Sequence, residues 1–369
     1  MSSKKIRRIA GIRCERLRFS PLLRYHAVGM NSRELIRGIL AGRPGPRCGF
    51  WMGNPHPDTW PIFHAYFGTK TEEDLRLKLG DDFRWISPQF RESTYRHPAG
   101  RKMFCLHDEK KSHGEAGPLA HAETEADVES GYEWPDPDYL DFSETIAALK
   151  KTGDYYRASG FWAPFFHDIC DLFGMENYFV KMLIHPEAVR AATARVCAFY
   201  MEANRRFFIA AGDLIDAYFF GNDFGTQTDC LISPALLDVF VLPWFREFTD
   251  AAHRAGYRVI LHSCGSIYRV IPRLIEAGVD ALHPLQALAG RMDADRLSRE
   301  FGGRIAFVGG VDTQRLLVEA TPRQVKEEVR RLRGLFGPFW IVSPSHEALL
   351  PNIPPQNVAA MAEAAHEPL

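Results

Sequence analysis

The chain has 369 residues, of which 46% are hydrophobic and 25% are charged, and its formal net charge at pH 7 is -1. These values are ordinary for a soluble globular protein and argue against a broad nucleic-acid-binding surface. No apolar run approaches the roughly 18 residues that a membrane-spanning helix requires. The seven cysteines lack paired spacing, and no secretion signal is evident. We therefore expect reduced thiols and a cytoplasmic location.

The first 29 residues differ in charge from the rest of the chain. They contain eight lysines and arginines against one acidic residue, Glu15, which leaves a charge of +7. They also lack the continuous apolar stretch of a secretion signal. We expect residues 1–29 to form a disordered tail, and Met30, just before the helix N-cap candidate Asn31, is a possible true start of the protein.

The first third of the chain predicts short elements separated by turns. In order, they are a helix at 33–40, a strand at 48–52, a helix at 60–66 and a strand at 82–87. Residues 93–138 are polar, rich in glycine and proline, and acidic toward their end. We expect this segment to be a polar insertion, such as a hairpin and a lid, rather than a separate core.

From residue 142 the pattern becomes regular. The predicted strands lie at 155–161, 214–220, 258–262, 280–284, 305–308 and 339–342. The predicted helices lie at 142–151, 165–173, 176–184, 186–211, 234–255, 268–277, 293–301, 322–336 and 354–365. Alternation of strands and helices indicates a parallel sheet with right-handed crossovers.

About eight such strands favour the α/β class and a closed (β/α)8 TIM barrel that forms one domain over residues 30–369. A doubly wound open sheet is the alternative. No Gly-x-Gly-x-x-Gly motif follows the first strand, so the sequence does not support a dinucleotide-binding version of that sheet.

The fifth strand ends in the most informative motif of the chain. The apolar run Val259-Ile260-Leu261 leads directly into His262-Ser263-Cys264-Gly265. Side chains two residues apart on a strand point to the same face, so we expect the imidazole and the thiol to project together. Such a pair can bind one borderline-soft cation, most plausibly zinc. The alternative is a buried cysteine and a hydrogen-bonded core histidine.

Other polar side chains also follow the ends of predicted strands, where the active sites of such barrels lie. They are His56 after the first strand; Asn222, Asp223, Thr226 and Gln227 after the fourth; Gln286 after the sixth; Asp312, Thr313 and Gln314 after the seventh; and Ser345, His346 and Glu347 after the eighth. Asp312 and Thr313 are also candidates for starting a helix. His283-Pro284 also lies at a strand end, but the position of His283 early in the sixth strand favours a role in the core.

His346 is a candidate third metal ligand, because a catalytic zinc needs three protein ligands and one open position. The alternative is a histidine that stabilises its own loop. Asp223 is a candidate general base, a hydrogen-bond acceptor for a substrate, or a partner that orients His262. It could equally form a local turn.

These residues, in this order, resemble the uroporphyrinogen decarboxylase superfamily, and more closely its zinc-dependent corrinoid (cobalamin) methyltransferase branch. The resemblance extends from about residue 30 to the end of the chain. The motifs that carry it are Gly221-Asn222-Asp223-Phe224-Gly225-Thr226-Gln227, Leu261-His262-Ser263-Cys264-Gly265-Ser266, Gly309-Gly310-Val311-Asp312-Thr313-Gln314, and Pro344-Ser345-His346 with Pro354-Pro355-Gln356-Asn357. The resemblance implies a (β/α)8 barrel with its active site in the mouth formed by the C-terminal strand ends.

The chain departs from the family patterns at two positions. True uroporphyrinogen decarboxylases carry an Arg-Gln-Ala-Gly-Arg motif after the first strand, whereas this chain has Met52-Gly53-Asn54-Pro55-His56. Without those arginines the carboxylates of uroporphyrinogen would be poorly bound, so its decarboxylation is disfavoured. The methyltransferase branch completes its zinc site with a distal cysteine, and here the matching loop has Ser345-His346. His346 is therefore a substitute ligand in this interpretation.

The resemblance implies methyl transfer between a small methylated or methoxylated substrate, or a thiol acceptor, and the cobalt of a corrinoid. The chain has no Asp-x-His-x-x-Gly cobalt-binding motif, so a separate protein would supply the corrinoid in trans. Metal would be held by His262, Cys264 and His346. Asp223, His56 and Glu347 are the catalytic candidates, and Asn222, Gln227, Gln286 and Asp312 are the cofactor-binding candidates.

Two other readings remain open. In the first, the chain is a metal-independent lyase that decarboxylates a smaller acid, with His56 and Asp223 in place of the missing arginines. In the second, it is a binding protein that has kept the fold without chemistry, since a fold alone does not specify function. Bound zinc would distinguish methyl transfer from the lyase.

Overall fold

An eight-stranded parallel sheet forms the centre of the protein, which is described here from a computed structural model covering residues 30–43, 45–88, 93–104 and 115–369. Its strands are β1 (Gly49–Phe50), β3 (Phe83–Trp85), β4 (Tyr156–Ser159), β5 (Ala217–Gly221), β6 (Arg258–His262), β7 (Ala281–His283), β8 (Ala306–Val311) and β9 (Trp340–Pro344). The spatial order is β1-β9-β8-β7-β6-β5-β4-β3. The predicted basic tail, residues 1–29, lies outside the described residues.

The two ends of this sheet meet and nearly close a barrel. The Asp82 amide, just before β3, donates a hydrogen bond of 2.9 Å to the Phe50 carbonyl of β1. All eight predicted strands are present, which confirms the (β/α)8 barrel and excludes the open sheet. A separate two-stranded parallel sheet joins β2 (Asn54–Pro55) to β10 (Ala348–Leu349) beside the barrel mouth.

Helices surround the barrel. They are α1 (Ser32–Leu40), α2 (Trp60–Phe67), α3 (Glu72–Leu79), α4 (Glu125–Gly131), α5 (Ser143–Lys151), α6 (Phe165–Phe173), α7 (Met175–Ile184), α8 (Pro186–Ala211), α9 (Pro234–Phe240), α10 (Leu242–Arg254), α11 (Ile271–Glu276), α12 (Ala294–Phe301), α13 (Leu316–Glu319), α14 (Pro322–Phe336) and α15 (Pro355–Ala365). None of those in the described part of the chain combines the length and apolarity needed to cross a membrane.

The helices differ from the prediction at several places. The single helix expected at 234–255 is divided at Val241 into α9 and α10, because Pro243 in the first turn of α10 lacks the amide hydrogen that a continuous helix would use. α3 was not predicted. The described part of segment 93–138 contains α4, and one isolated antiparallel bridge pairs its Tyr95 with Leu140 just beyond the segment, in place of a regular hairpin. Residues 105–114 lie outside the described part.

Two clusters of buried apolar side chains stabilise the barrel. The outer cluster fills the space between strands and surrounding helices, and the inner cluster fills the barrel itself. The inner cluster includes Trp51, Phe83, Phe219, Ile260 and the buried face of α1. α1 closes the N-terminal end of the barrel, which leaves the opposite end, formed by the carboxyl ends of the strands, open for a site.

Candidate metal centre

The alternation of side chains along β6 places His262 inside the barrel. Ile260 belongs to the inner cluster, and His262 lies two residues further on the same strand face. The register pairs His262 with Gly221 on one side and with His283 on the other. His262 is therefore part of the last inward-facing layer before the barrel opens, and it is almost completely buried.

The loop after β6 is held in one conformation that brings Cys264 to His262. The Cys264 amide donates a hydrogen bond of 2.7 Å to Asp223 Oδ1, and the Gly265 amide donates one of 2.8 Å to Gln286 Oε1. Gly265 has a φ of +80°, and a Cβ there would lie 2.4 Å from the Gly225 backbone, so only glycine fits. In this conformation Cys264 Sγ is 3.4 Å from His262 Nε2.

The loop after β9 brings two more donor groups to the same place. His346 Nδ1 accepts a hydrogen bond of 3.1 Å from the Ala348 amide, so a neutral ring carries its hydrogen on Nε2 in this conformation. Glu347 Oε2 lies 3.6 Å from His262 Nδ1 and 3.7 Å from His346 Nδ1. The β2–β10 pairing fixes this loop, and Gly53 contacts it so closely that a Cβ would lie 2.6 Å from the Glu347 carbonyl oxygen.

These side chains form two overlapping groups of metal donors that share Cys264. In one group, ligand atoms of Asp223, His262 and Cys264 lie within 4.8 Å of one another, and in the other the same holds for Cys264, His346 and Glu347. The predicted trio of His262, Cys264 and His346 is thus divided between the two groups, with a carboxylate in each.

The donor set fits a zinc ion. Zn–S and Zn–N bonds of ordinary length at a tetrahedral angle separate the two ligand atoms by roughly 3.5 Å, close to the 3.4 Å between Cys264 Sγ and His262 Nε2. A thiol with imidazole and carboxylate groups suits zinc better than magnesium or calcium. Glu347 Oε2 is buried and has no hydrogen-bond partner among the described residues, as expected of an atom that faces a cation.

The charges of the site favour a cation as well. Burial opposes the protonation of His262, but Glu347, Cys264 and Asp223 outweigh it and raise the pKa of the imidazole well above 6.5. Burial raises the pKa of the Cys264 thiol, but His262 and His346 bring it below 9.0. Asp223 is ionised, because His262 and the Cys264 amide overcome its burial and lower its pKa.

The family of the chain follows from comparison with known proteins. Residues 117–368 match the family model described as Uroporphyrinogen decarboxylase (URO-D). The chain belongs to the uroporphyrinogen decarboxylase family. No curated protein matches it.

Two solved structures are similar to this chain at low sequence identity. A methyltransferase from Methanosarcina mazei is similar with a TM-score of 0.61 and 15% identity, and the match covers 91% of this chain and 98% of that one. A putative vitamin-B12 independent methionine synthase from Listeria monocytogenes has a TM-score of 0.37 and 10% identity over 87% and 97% of the two chains. At 15% identity, the likeness to the Methanosarcina mazei protein shows the barrel fold and nothing finer.

Two of the predicted site residues, His56 and Asp312, form hydrogen bonds within their own loops. His56 lies after β2, and its Nδ1 accepts a hydrogen bond of 3.3 Å from the Asp58 amide, so the described contacts do not bring it to Cys264. Asp312 accepts hydrogen bonds of 2.9–3.0 Å from three amides, those of residues 314, 315 and 316. Its carboxylate therefore starts α13, which was the alternative for this residue.

The three predicted amide side chains support the site loops. Asn222 is buried, with Oδ1 accepting from the Phe166 amide and Nδ2 donating to the Ala163 carbonyl, so it anchors the start of α6. Gln227 Oε1 accepts a hydrogen bond of 2.8 Å from Gln286 Nε2, and Gln286 in turn accepts from the Gly265 amide. Their assignment to a cofactor stays a prediction, whereas their support of the Cys264 loop is visible.

His283 is a buried residue at a strand end, as the sequence indicated. It is the last residue of β7 rather than an early one, and it pairs in register with His262, so the core role expected for it lies beside the candidate metal centre. Its Nδ1 lies 2.9 Å from His262 Nδ1. Burial, together with the positive charge near His262 and His346, holds the pKa of its imidazole well below 6.5. A histidine at the end of the strand next to β6 was the available signal.

Proposed function

We propose that this chain is a metal-dependent methyltransferase that moves a methyl group between a small methylated or methoxylated substrate, or a thiol acceptor, and a corrinoid carried by a separate protein. The observation that carries the proposal is the convergence of Cys264, His262, His346 and two carboxylates at the mouth of a barrel. Membership of the uroporphyrinogen decarboxylase family and the likeness to a protein described as a methyltransferase are consistent with it.

His262 Nε2, Cys264 Sγ and the His346 imidazole are the ligands that we assign, and Glu347 is the alternative to His346 in the group that both share with Cys264. His346 can bind a cation only when its Nδ1 gives up the hydrogen bond from the Ala348 amide, because a neutral imidazole has a single ring lone pair. A bound zinc ion supplies Lewis acidity, which lowers the pKa of a thiol or polarises the oxygen of a methoxy group. The low pKa of Asp223 makes it a weak base, so its role is to hold the Cys264 loop. Glu347 Oε2 is buried without a hydrogen-bond partner among the described residues, so we assign proton transfer to Glu347 when His346 is the third ligand.

The corrinoid partner is part of the proposal because the sequence has no Asp-x-His-x-x-Gly cobalt-binding motif. A second protein would therefore present the cobalt at the open end of the barrel. The family also supports a second candidate, a lyase acting on a smaller carboxylated substrate without metal. Its weakness is at the loop after β1, where residues 52–56 contain no arginine and His56 is engaged by the Asp58 amide.

Metal content measured by inductively coupled plasma mass spectrometry tests the proposal. We expect near-stoichiometric zinc in the wild type and its loss in Cys264→Ser and His346→Ala. Cys230→Ser is the matched control, because Cys230 is a half-buried thiol outside both donor groups and its variant should keep the metal. Zinc-loaded wild type should then demethylate methylcob(III)alamin in the presence of a small thiol, which is visible as a spectral change of the corrinoid.

Each outcome decides between the alternatives. Wild type that stays free of metal after incubation with zinc would overturn the proposal and favour the lyase. Zinc retained in His346→Ala but lost in Cys264→Ser would keep the metal site and replace His346 by Glu347 as third ligand. Zinc that binds without any reaction with methylcob(III)alamin or methoxylated compounds would remove the methyltransferase assignment.

A further inference from the structure

His283 is a buried polar residue that no step of the proposed function uses. Its side chain is about 1% exposed, and its Nε2 has no hydrogen-bond partner among the described residues. Its Nδ1 lies 2.9 Å from Nδ1 of His262, which is within hydrogen-bond distance. Two imidazoles at this separation need one donor and one acceptor, so the protonation pattern of one ring determines that of the other.

A metal ligand constrains which ring is the donor. His262 Nε2 faces Cys264 Sγ, and this nitrogen must keep its lone pair to bind a cation. A neutral imidazole then carries its proton on Nδ1, and Nδ1 of His262 faces His283. His283 must therefore accept this hydrogen bond through its own Nδ1 and carry its proton on Nε2.

Glu347 is the other group near His262 Nδ1, and its distance excludes it from this role. Glu347 Oε2 lies 3.6 Å from His262 Nδ1, beyond ordinary hydrogen-bond length, whereas His283 lies at 2.9 Å. The fold also holds the His283 ring in place. The His283 carbonyl accepts a hydrogen bond from the Ser263 amide, and its ring packs against Trp51 and Phe219 at centroid distances of 4.9 Å and 5.4 Å.

We propose that His283 is a positioning residue that accepts the Nδ1 hydrogen of His262 and thereby presents the Nε2 lone pair of His262 to the metal. This inference rests on the proposed function, since it concerns the metal site assigned there. Histidine ligands commonly donate their second ring hydrogen to an acceptor that fixes the tautomer and the ring orientation. Here a neutral imidazole on the neighbouring strand would take the place that a carboxylate or carbonyl usually holds.

Two substitutions separate hydrogen bonding from packing. His283→Phe keeps an aromatic ring against Trp51 and Phe219 but removes the acceptor. His283→Asn loses the ring but offers Oδ1 near the position of Nδ1, so it is the variant that restores the acceptor. The readout is the zinc dissociation constant of the purified full-length protein, measured by competition with a chromophoric chelator.

We expect zinc affinity to fall by about 10- to 100-fold in His283→Phe and to stay closer to the wild type in His283→Asn. A His283→Phe protein that binds zinc as tightly as the wild type would overturn the inference, while loss of zinc in Cys264→Ser would still support the proposed function. A His283→Asn protein as impaired as His283→Phe would show that packing, not the acceptor, matters, and would also overturn it. Wild type that binds no zinc would overturn both.

A measurement on the wild type keeps the test valid if the variants misfold. Nitrogen NMR of the zinc-loaded protein labelled at histidine reports which ring nitrogen carries hydrogen. We expect the zinc-bound histidine whose signals are absent from a His262→Ala sample to have a protonated Nδ1 and an unprotonated Nε2. Zinc bound through Nδ1 of His262 would contradict the inference directly.

Discussion

At the residue scale, Asp168 is a carboxyl group that the fold buries between α6 and α8. It is about 3% exposed, and Tyr200 donates a hydrogen bond of 2.7 Å to Oδ2. Burial raises its pKa well above 3.8, and the single hydrogen bond from Tyr200 only partly opposes the effect. The folded protein therefore holds a proton here over a pH range in which the unfolded chain has lost it.

This difference makes stability depend on pH with a defined sign. Because the folded state binds the proton more tightly, its contribution to stability is complete below about pH 4 and is lost as pH rises through the folded-state pKa. Asp168→Asn removes the titration and keeps an acceptor for Tyr200. We expect the variant to match the wild type near pH 4.5 and to exceed it at pH 8, by on the order of 1 kcal/mol or more.

Urea unfolding at several pH values measures this. Asp141→Asn is the control, because hydrogen bonds from Ser143 lower the pKa of the Asp141 carboxyl, so the same substitution should act in the opposite direction. An Asp168→Asn protein less stable than the wild type at pH 8 would show that the carboxylate has a stabilising partner.

The residues of the candidate metal centre differ in how well sequence alone could find them. His262 and Cys264 follow from the alternation of side chains along one strand, which needs no knowledge of the neighbours. The contact of His283 with His262 depends on the register between β6 and β7, and this is set by the whole barrel. Likewise, the helix-capping role of Asp312 depends on where α13 begins, so a strand-end position could not decide between cap and ligand.

At the element scale, the end of the barrel closed by α1 contains ion pairs and hydrogen bonds that stabilise the fold. Asp216, just before β5, is buried and accepts hydrogen bonds from Arg33 Nε at 2.9 Å and Arg37 Nε at 2.6 Å, and from the Arg157 amide at 2.9 Å. These bonds tie α1 to the N-terminal strand ends, away from the His262 layer. Asp216 therefore supports the fold without touching the candidate site.

We expect Asp216→Asn to lower the free energy of unfolding by about 2–4 kcal/mol, because it leaves the partly buried Arg33 without its carboxylate. Zinc content of the folded protein should not change. Asp238→Asn is the control, since its ion pair with Arg273 is exposed and should matter little. Denaturant unfolding with metal analysis checks both expectations. Loss of metal at native temperature in Asp216→Asn would show that the two ends of the barrel are coupled.

Element boundaries were harder to predict than element identities. Strand β4 stops at Ser159 where 155–161 was expected, because Gly160 adopts a φ of +108° that ends regular pairing. Strand β8 continues to Val311, three residues past the expected end, because Gly309 and Gly310 still pair with β9. Both differences arise from glycines whose conformation depends on neighbouring strands, which the period of apolar residues does not encode.

At the scale of the whole molecule, the candidate metal centre joins loops that follow three strands. Asp223 follows β5, Cys264 follows β6, and His346 and Glu347 follow β9. A metal bound only by the folded protein stabilises it according to its concentration relative to the dissociation constant, by about 2.7 kcal/mol at a hundredfold excess. We expect zinc to raise the unfolding temperature by several degrees.

Differential scanning fluorimetry with zinc, magnesium and a chelator measures the shift. Magnesium should have little effect because the donor set includes a thiol. Cys264→Ser should show no zinc shift, whereas Cys230→Ser should behave as the wild type. An equal zinc shift in Cys264→Ser would place the binding elsewhere in the molecule.

The strand pairing also bears on how the protein is made. β1 pairs with β9, with Gly49 opposite Ile341, and the Leu369 amide donates a hydrogen bond of 3.1 Å to the Pro46 carbonyl. During synthesis, β1 therefore stays unpaired with β9 until the ribosome has made the chain as far as residue 344. Until then its backbone is an unpaired edge, which invites association with other chains. α1 packs on the same early strand, so it is the element available to shield β1 in the nascent chain.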